Sequence, residues 1–249
     1  MDDQLQTWEV LALAAGGFVS GVVNAMAGGG SFLTVPLLVM TGLPGTIANG
    51  TNRIGVLVQS SVAAWRFRKQ GVSGFGNAGP VLVPMLLGSW LGAVAISRVA
   101  PKTFEHLFGL VMLLLLLPVL RAPSVDTQTQ RPWPRWLSMA VFFVIGLYGG
   151  AFQAGVGVFL ILALARAGHG LVLSNSIKSI SIAAFTAVAA AVFVLQGQVV
   201  WVPAIVLSLS TALGADLGSR WAVRGGDAVI RPFLVLAVVL MAGKMLGLY

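Results

Sequence analysis

Apolar runs alternate with short polar punctuation along almost the whole chain. They fall at about 8–27, 31–42, 51–67, 78–97 and 104–120, then at 136–155, 158–167, 175–195, 199–219 and 229–248. Most are near the length that a helix needs to cross a hydrocarbon core about 30 Å thick. The strict alternation of an outer-membrane barrel is absent. The pattern therefore predicts an all-α polytopic membrane protein. A polar, proline-containing stretch, "RAPSVDTQTQRPWPR" at 121–135, divides it into an N-terminal unit, 1–120, and a C-terminal unit, 136–249.

The two units echo one another. "GFVSGVVNAMAG" (17–28) aligns without gaps on "GLYGGAFQAGVG" (146–157), pairing Gly17 with Gly146, Gly21 with Gly150 and Asn24 with Gln153. "NGTNR" (49–53) lies opposite "SNSIK" (174–178), "QG" (70–71) opposite "QG" (196–197), and "GSWLGA" (88–93) opposite "GADLGS" (214–219). Internal repetition predicts two pseudo-symmetric repeats of about five helical segments each. Charge predicts their relation. If 8–27 and 31–42 form two passes or a re-entrant pair, the second repeat is inverted. With the N-terminus outside, the basic stretches at 66–69, 121–135, 166–178 and 220–224 then all lie inside, as the positive-inside rule favours.

Within this frame "NAMAGGGSFLTVP" (24–36) is anomalous, because each glycine costs a helix interior about 1 kcal/mol relative to alanine. A helix that ends inside the membrane exposes N–H groups that must line a cavity or meet a ligand. Gly28, Gly29, Gly30 and Ser31 are thus expected to start a half-helix whose N-terminus faces an anion. Close helix packing is the alternative use of small residues, and Gly17 and Gly21 carry that spacing. Asn49, Thr51 and Asn52 read as caps at the start of an apolar segment, with Arg53 just inside it. Lys178 stands in the matching place, after Asn175 and Ser176. A cation one turn into a membrane segment is costly and functional by default, snorkelling to the headgroups being the other reading. Paired glycine breaks and paired cations suit a small oxyanion.

Composition narrows the picture. Only 9% of residues are charged and 57% are hydrophobic, against about 25% charged in soluble domains. The net charge of +8 reads as loop charge rather than a nucleic-acid surface. There is no cysteine, hence no disulfide and no thiol-ligated metal, and no cofactor is expected. The acidic start, "MDDQLQTWEV", lacks the basic head of a cleavable signal peptide, so the first segment is expected to be retained.

The run "GFVSGVVNAMAGGGSFLTVPLLVMTGLPGTIANGTNRIGVLVQSSVAAWRF" resembles the N-terminal half of the sulfite exporter TauE/SafE family, also called the TSUP family. "NAMAGGGS", "VPLL" and "ANGTNR" carry the match, and the weaker "GVG" at 155–157 and "LGS" at 217–219 extend it. The resemblance implies a secondary carrier, an exporter in a bacterial inner membrane, for small sulfur-containing oxyanions such as sulfite or organosulfonates. It implicates Asn24, Gly28, Gly29, Gly30, Ser31, Asn49, Thr51, Asn52 and Arg53. The mirror positions Gln153, Gly155, Gly157, Asn175, Ser176 and Lys178 complete the candidate substrate site. The second copy is more degenerate, since Ile177 replaces the asparagine of "TNR", so an asymmetric mirror site is expected.

Asp216 is the acid deepest in an apolar segment. It is a candidate for a coupling proton or, equally, a partner of Arg220 one turn on. Gln59, Ser60 and Ser61 are candidate cavity liners or interhelical bonds. Trp133, Trp136 and Trp201 read as interfacial anchors. An intramembrane hydrolase would need a base beside Ser31, and neither histidine falls deep in a segment. An anion channel, or an uptake carrier for another small anion, is the alternative to an exporter.

Overall fold

A computed structural model describes residues 6–26, 30–120, 133–224, 242–243 and 245–247. Gly28, Gly29, most of the 121–135 linker and most of the expected segment at 229–248 lie outside the described residues. Nine helices are described: α1 (Thr7–Met26), α2 (Ser31–Met40), α3 (Gly45–Lys69), α4 (Phe75–Ser97), α5 (Pro101–Leu120), α6 (Arg135–Ala151), α7 (Val156–Arg166), α8 (Leu171–Leu195) and α9 (Trp201–Arg224). No strand occurs among the described residues. Four of these helices, α1, α4, α8 and α9, are long and apolar enough to cross a membrane. By contrast α2, with 10 residues, and α7, with 11, each reach only about 15 Å, half of a bilayer core.

Two boundaries differ from the sequence reading. Helix α3 starts at Gly45 after Pro44, and α8 starts at Leu171 after Gly170, neither with a side-chain cap. Asn49, Thr51 and Asn52 are therefore interior helical residues rather than caps. Tertiary hydrogen bonds outweigh their weak helix propensity, as described below. The N-terminus of α3 is closed from elsewhere: the Glu105 carboxylate of α5 accepts the Gly45 N–H at 3.1 Å.

The packing interleaves the two halves. Helix α1 lies along α9, α4 along α6, and α3 and α8 cross between them. Both outer seams are made by glycine. A Cβ on Gly88 would collide with the Phe143 carbonyl and the Leu147 N–H of α6. A Cβ on Gly214 would collide with the Phe18 carbonyl and the Val22 N–H of α1. Only a hydrogen side chain lets backbones approach this closely. In this geometry Phe18 and Val22 do for α9 what Phe143 and Leu147 do for α4. Gly146 thus stands where Gly21 stands, not Gly17, and the ungapped pairing of 17–28 with 146–157 is one helical turn out of register.

Apolar side chains fill the spaces between. One cluster joins Phe32, Phe104, Phe108 and Phe193, and a second joins Val56, Met85, Phe142, Leu160 and Phe185. The outward faces are equally apolar: Leu11, Val83, Leu209 and Leu213 are each more than 60% exposed. In water such a surface would be untenable, and against lipid it is the expected exterior.

Candidate functional site

Both short helices follow a break, and each break is met by a buried cation from the other half of the chain. Helix α6 ends at Ala151, and the chain turns through Gln153 and Gly155, both with positive φ (65° and 66°), before α7 begins at Val156. Gly155 adopts this left-handed conformation freely. Gln153 does so against its preference and is held by its side chain. Arg53 of α3, fully buried, reaches this point. Its Nη1 donates to the Gly149 carbonyl and the Gln153 Oε1, both at 2.5 Å. Its Nη2 donates to the Gly150 and Ala151 carbonyls at 2.8 and 3.0 Å, and more weakly to Asn49 Oδ1 at 3.3 Å. Asn49 Nδ2 adds a bond to the Ala151 carbonyl at 2.8 Å. The carboxyl end of α6 is thus capped by a guanidinium, the charge that suits the negative end of a helix dipole. The Phe193 ring lies under the guanidinium carbon at 5.4 Å, a cation–π contact. Phe185 packs on Gly149, and the Thr186 hydroxyl donates to Gln153 Oε1 at 3.4 Å.

The other break reverses the roles. Helix α1 ends at Met26, and α2 restarts at Ser31 after Gly30. Lys178 of α8, also fully buried, donates from Nζ to the Asn24 and Ala25 carbonyls at 3.0 and 3.2 Å and to Asn175 Oδ1 at 2.7 Å. A Cβ on Gly30 would strike Ser20 and the Asn24 side chain, so the start of α2 rests directly on the end of α1. Asn52 ties α3 to α2, accepting from the Thr34 hydroxyl at 2.6 Å and reaching Ser31 Oγ at 3.5 Å.

Two residues before each cation, a hydroxyl serves a backbone N–H across the interface. Thr51 Oγ1 accepts from Val200, just before α9, at 3.0 Å. Ser176 Oγ accepts from Gly74, just before α4, at 3.0 Å, and donates to the Val72 carbonyl at 3.1 Å.

Most of the sequence-derived site residues are therefore brought together, around two centres. Asn49, Arg53 and Gln153 gather at the α6 end, with Gly155 in the turn beyond. Asn24, Gly30, Asn175 and Lys178 gather at the α1 end. Gly157 is buried inside α7. The contribution of Thr34, Thr186 and Phe193 was not read from the sequence. Each is an ordinary apolar-segment residue, and only its neighbour across the fold gives it a role.

A narrow cleft of mixed polar and apolar lining borders the Lys178 centre. Asn24, Gln59, Ser60, Lys178 and Ser179 line it together with Ala25, Ala63, Ile182 and Ala215, and in this conformation it is too tight to hold a water. Of the three residues flagged as liners, Gln59 and Ser60 are buried there, whereas Ser61 is exposed and bonds back to the Leu57 carbonyl. Next to the cleft, Asp216 forms ion pairs with Arg66 of α3 and with Arg220 at 2.5 Å. Its side chain is 25% exposed, so it is a partly exposed acid bridging two arginines rather than an isolated one in the interior.

Comparison with known proteins places this arrangement. The family model described as sulfite exporter TauE/SafE matches residues 13–245. The chain belongs to this family. It is 29% identical over 233 residues to a probable membrane transporter protein of Haemophilus influenzae, with 92% of this chain and 91% of that one covered. It is 26% identical to the probable membrane transporter protein ORF9 of a Sinorhizobium species, with 92% and 89% covered. Against the probable membrane transporter protein YfcA of Escherichia coli K12, the identity is 25%, with 92% and 86% covered. No solved structure matches the chain significantly. The TauE/SafE match, the transporter relatives and the four candidate spans make the chain an integral membrane transporter.

Proposed function

We propose that this TauE/SafE protein is a secondary carrier that exports small sulfur-containing oxyanions, such as sulfite or organosulfonates, across the bacterial plasma membrane. The reading further takes residues 1–120 and 136–249 as inverted repeats, with the substrate held near mid-membrane where their broken helices meet. The observation that carries it is the reciprocal crossing: Arg53 of the first half caps α6, and Lys178 of the second caps α1. Broken helices at matching places of two repeats are how secondary carriers build ion sites. The substrate meets the Lys178 centre, where the cleft, Asn24 and the N-terminus of α2 converge. Arg53 spends four of its five N–H donors on α6 and Gln153, so its part is to hold the break.

Two measurements test this. Purified protein in proteoliposomes should give saturable counterflow of at least one member of a panel of sulfite, sulfate, thiosulfate and alkanesulfonates. Uptake without counterflow would indicate a channel, and no uptake of any member would remove the oxyanion reading. The absence of native cysteine allows single-cysteine topology mapping. Ser73→Cys, between α3 and α4, and Gln196→Cys, between α8 and α9, should label from opposite sides of the membrane. Labelling from the same side would defeat the inverted relation.

A further inference from the structure

The wall of the cleft contains one polar group whose needs are wholly unmet. Gln59 is 1% exposed, and both its Nε2 and its Oε1 are buried without a hydrogen-bond partner. An amide with both ends orphaned is costly: each unpaired buried polar atom forfeits about 1–3 kcal/mol. Apolar side chains of similar volume would pack the same place without that cost. Gln59 lines the same gap as Asn24, Ser60 and Lys178. Swapping its oxygen and nitrogen would not relieve it, because neither end has a partner.

A primary amide offers a donor and an acceptor on adjacent atoms. A fully deprotonated oxyanion carries acceptors alone. It could satisfy Nε2 but would leave Oε1 facing a second oxygen. We infer that Gln59 is a specificity-determining residue, and that the cleft takes an oxyanion bearing an O–H or N–H donor next to a charged oxygen: a protonated oxyacid monoanion rather than its dianion. Such a ligand bonds both ends of the amide at once, while Lys178 supplies the positive charge. This inference rests on the oxyanion reading above and adds the protonation state and the residue that senses it.

Methylphosphonate at mildly acid pH and methanesulfonate make a matched pair of probes. They share shape and single negative charge, and only the phosphonate carries an O–H. Their binding to the purified full-length protein is measured by titration calorimetry. The wild type should prefer the phosphonate monoanion by at least about fivefold, and alkaline pH, which removes its proton, should abolish the preference. Gln59→Leu should bind both probes alike. Equal wild-type affinities at acid pH overturn the inference without need of any variant. So does a preference that survives in Gln59→Leu. In either case binding of both probes leaves the oxyanion reading standing, whereas binding of neither removes both.

Discussion

The two cation centres share a plan and differ in their surroundings. At the α6 end, Arg53 is enclosed: Phe193 lies against the guanidinium, Phe185 packs on Gly149, and Gln153 closes the turn. At the α1 end, Lys178 stands beside Gln59, Ser60 and Ser179 in a cleft. Aromatic residues of α8 shut the first centre, and polar residues of α3 border the second. A planar fork with several fixed donors suits a permanent structural knot. A compact ammonium is a point charge on a flexible stem, which suits a helix end beside a polar space. One centre is built to hold, and the other to hold while facing a ligand.

This contrast is most easily broken at Arg53. Arg53→Met leaves the Gly149 and Gly150 carbonyls without the guanidinium and weakens the bonding of Ala151 and Gln153, which keep Asn49 and Thr186, and each orphaned buried acceptor costs about 1–3 kcal/mol. The expected loss is about 4 kcal/mol or more, a large share of the roughly 5–15 kcal/mol that holds a typical protein folded. It should appear as collapse of yield and Tm in detergent. Arg53→Lys should recover less than half, since a point charge cannot span the same acceptors. If Arg53→Met folds normally and loses only transport, the division of labour is the reverse of that drawn here.

Lys178→Met comes next. It removes the bonds to Asn24, Ala25 and Asn175 and the charge beside the cleft, and it should lower stability by about 2–3 kcal/mol. Counterflow should be abolished in whatever protein folds, which a flux assay normalised to monodisperse protein would measure. A glycine seam supplies the control. Gly88→Ala places a methyl against the Phe143 carbonyl and should cost about 1–3 kcal/mol, with the KM for substrate unchanged. The smallest effect is expected at Asp216. Its ion pairs are partly solvated, and Asp216→Asn should cost about 1 kcal/mol or less, with counterflow and its pH dependence retained. A variant with intact fold but no proton dependence would restore Asp216 as a coupling group.

The sequence carried the segment pattern well, because lipid leaves little freedom in segment length or polarity. The breaks were also legible, since glycine clusters inside apolar runs have few other uses. Arg53 and Lys178 stood out as a matched pair, but their partners did not. Those partners are backbone carbonyls, which have no letter of their own. The one-turn register error has a plain origin. Glycines recur every fourth residue at Gly17 and Gly21 and again at Gly146 and Gly150, so two registers satisfy the same pattern. Only the contacts of Gly88 and Gly214 distinguish them. The polar residues of "NGTNR" looked like caps because their bonding partners lie across the fold, at Ala151, Val200 and Thr34.

The crossing of the halves also has a consequence for how the chain is made. Arg53 leaves the ribosome nearly a hundred residues before the carbonyls that receive it, with sequence separations of 96 to 98. Lys178 emerges 153 or 154 residues after its own receivers. The early half therefore enters the insertion machinery with an arginine still lacking its receptor, and the late half arrives with a docking point ready. Helix α3 should linger at the translocon, with its cation hydrated, until α6 comes through. A nascent chain truncated before residue 149 should remain crosslinkable there, and one long enough to bring residues 149–151 clear of the ribosome should be released. Expressed apart, neither half should persist, and co-expression should rescue both.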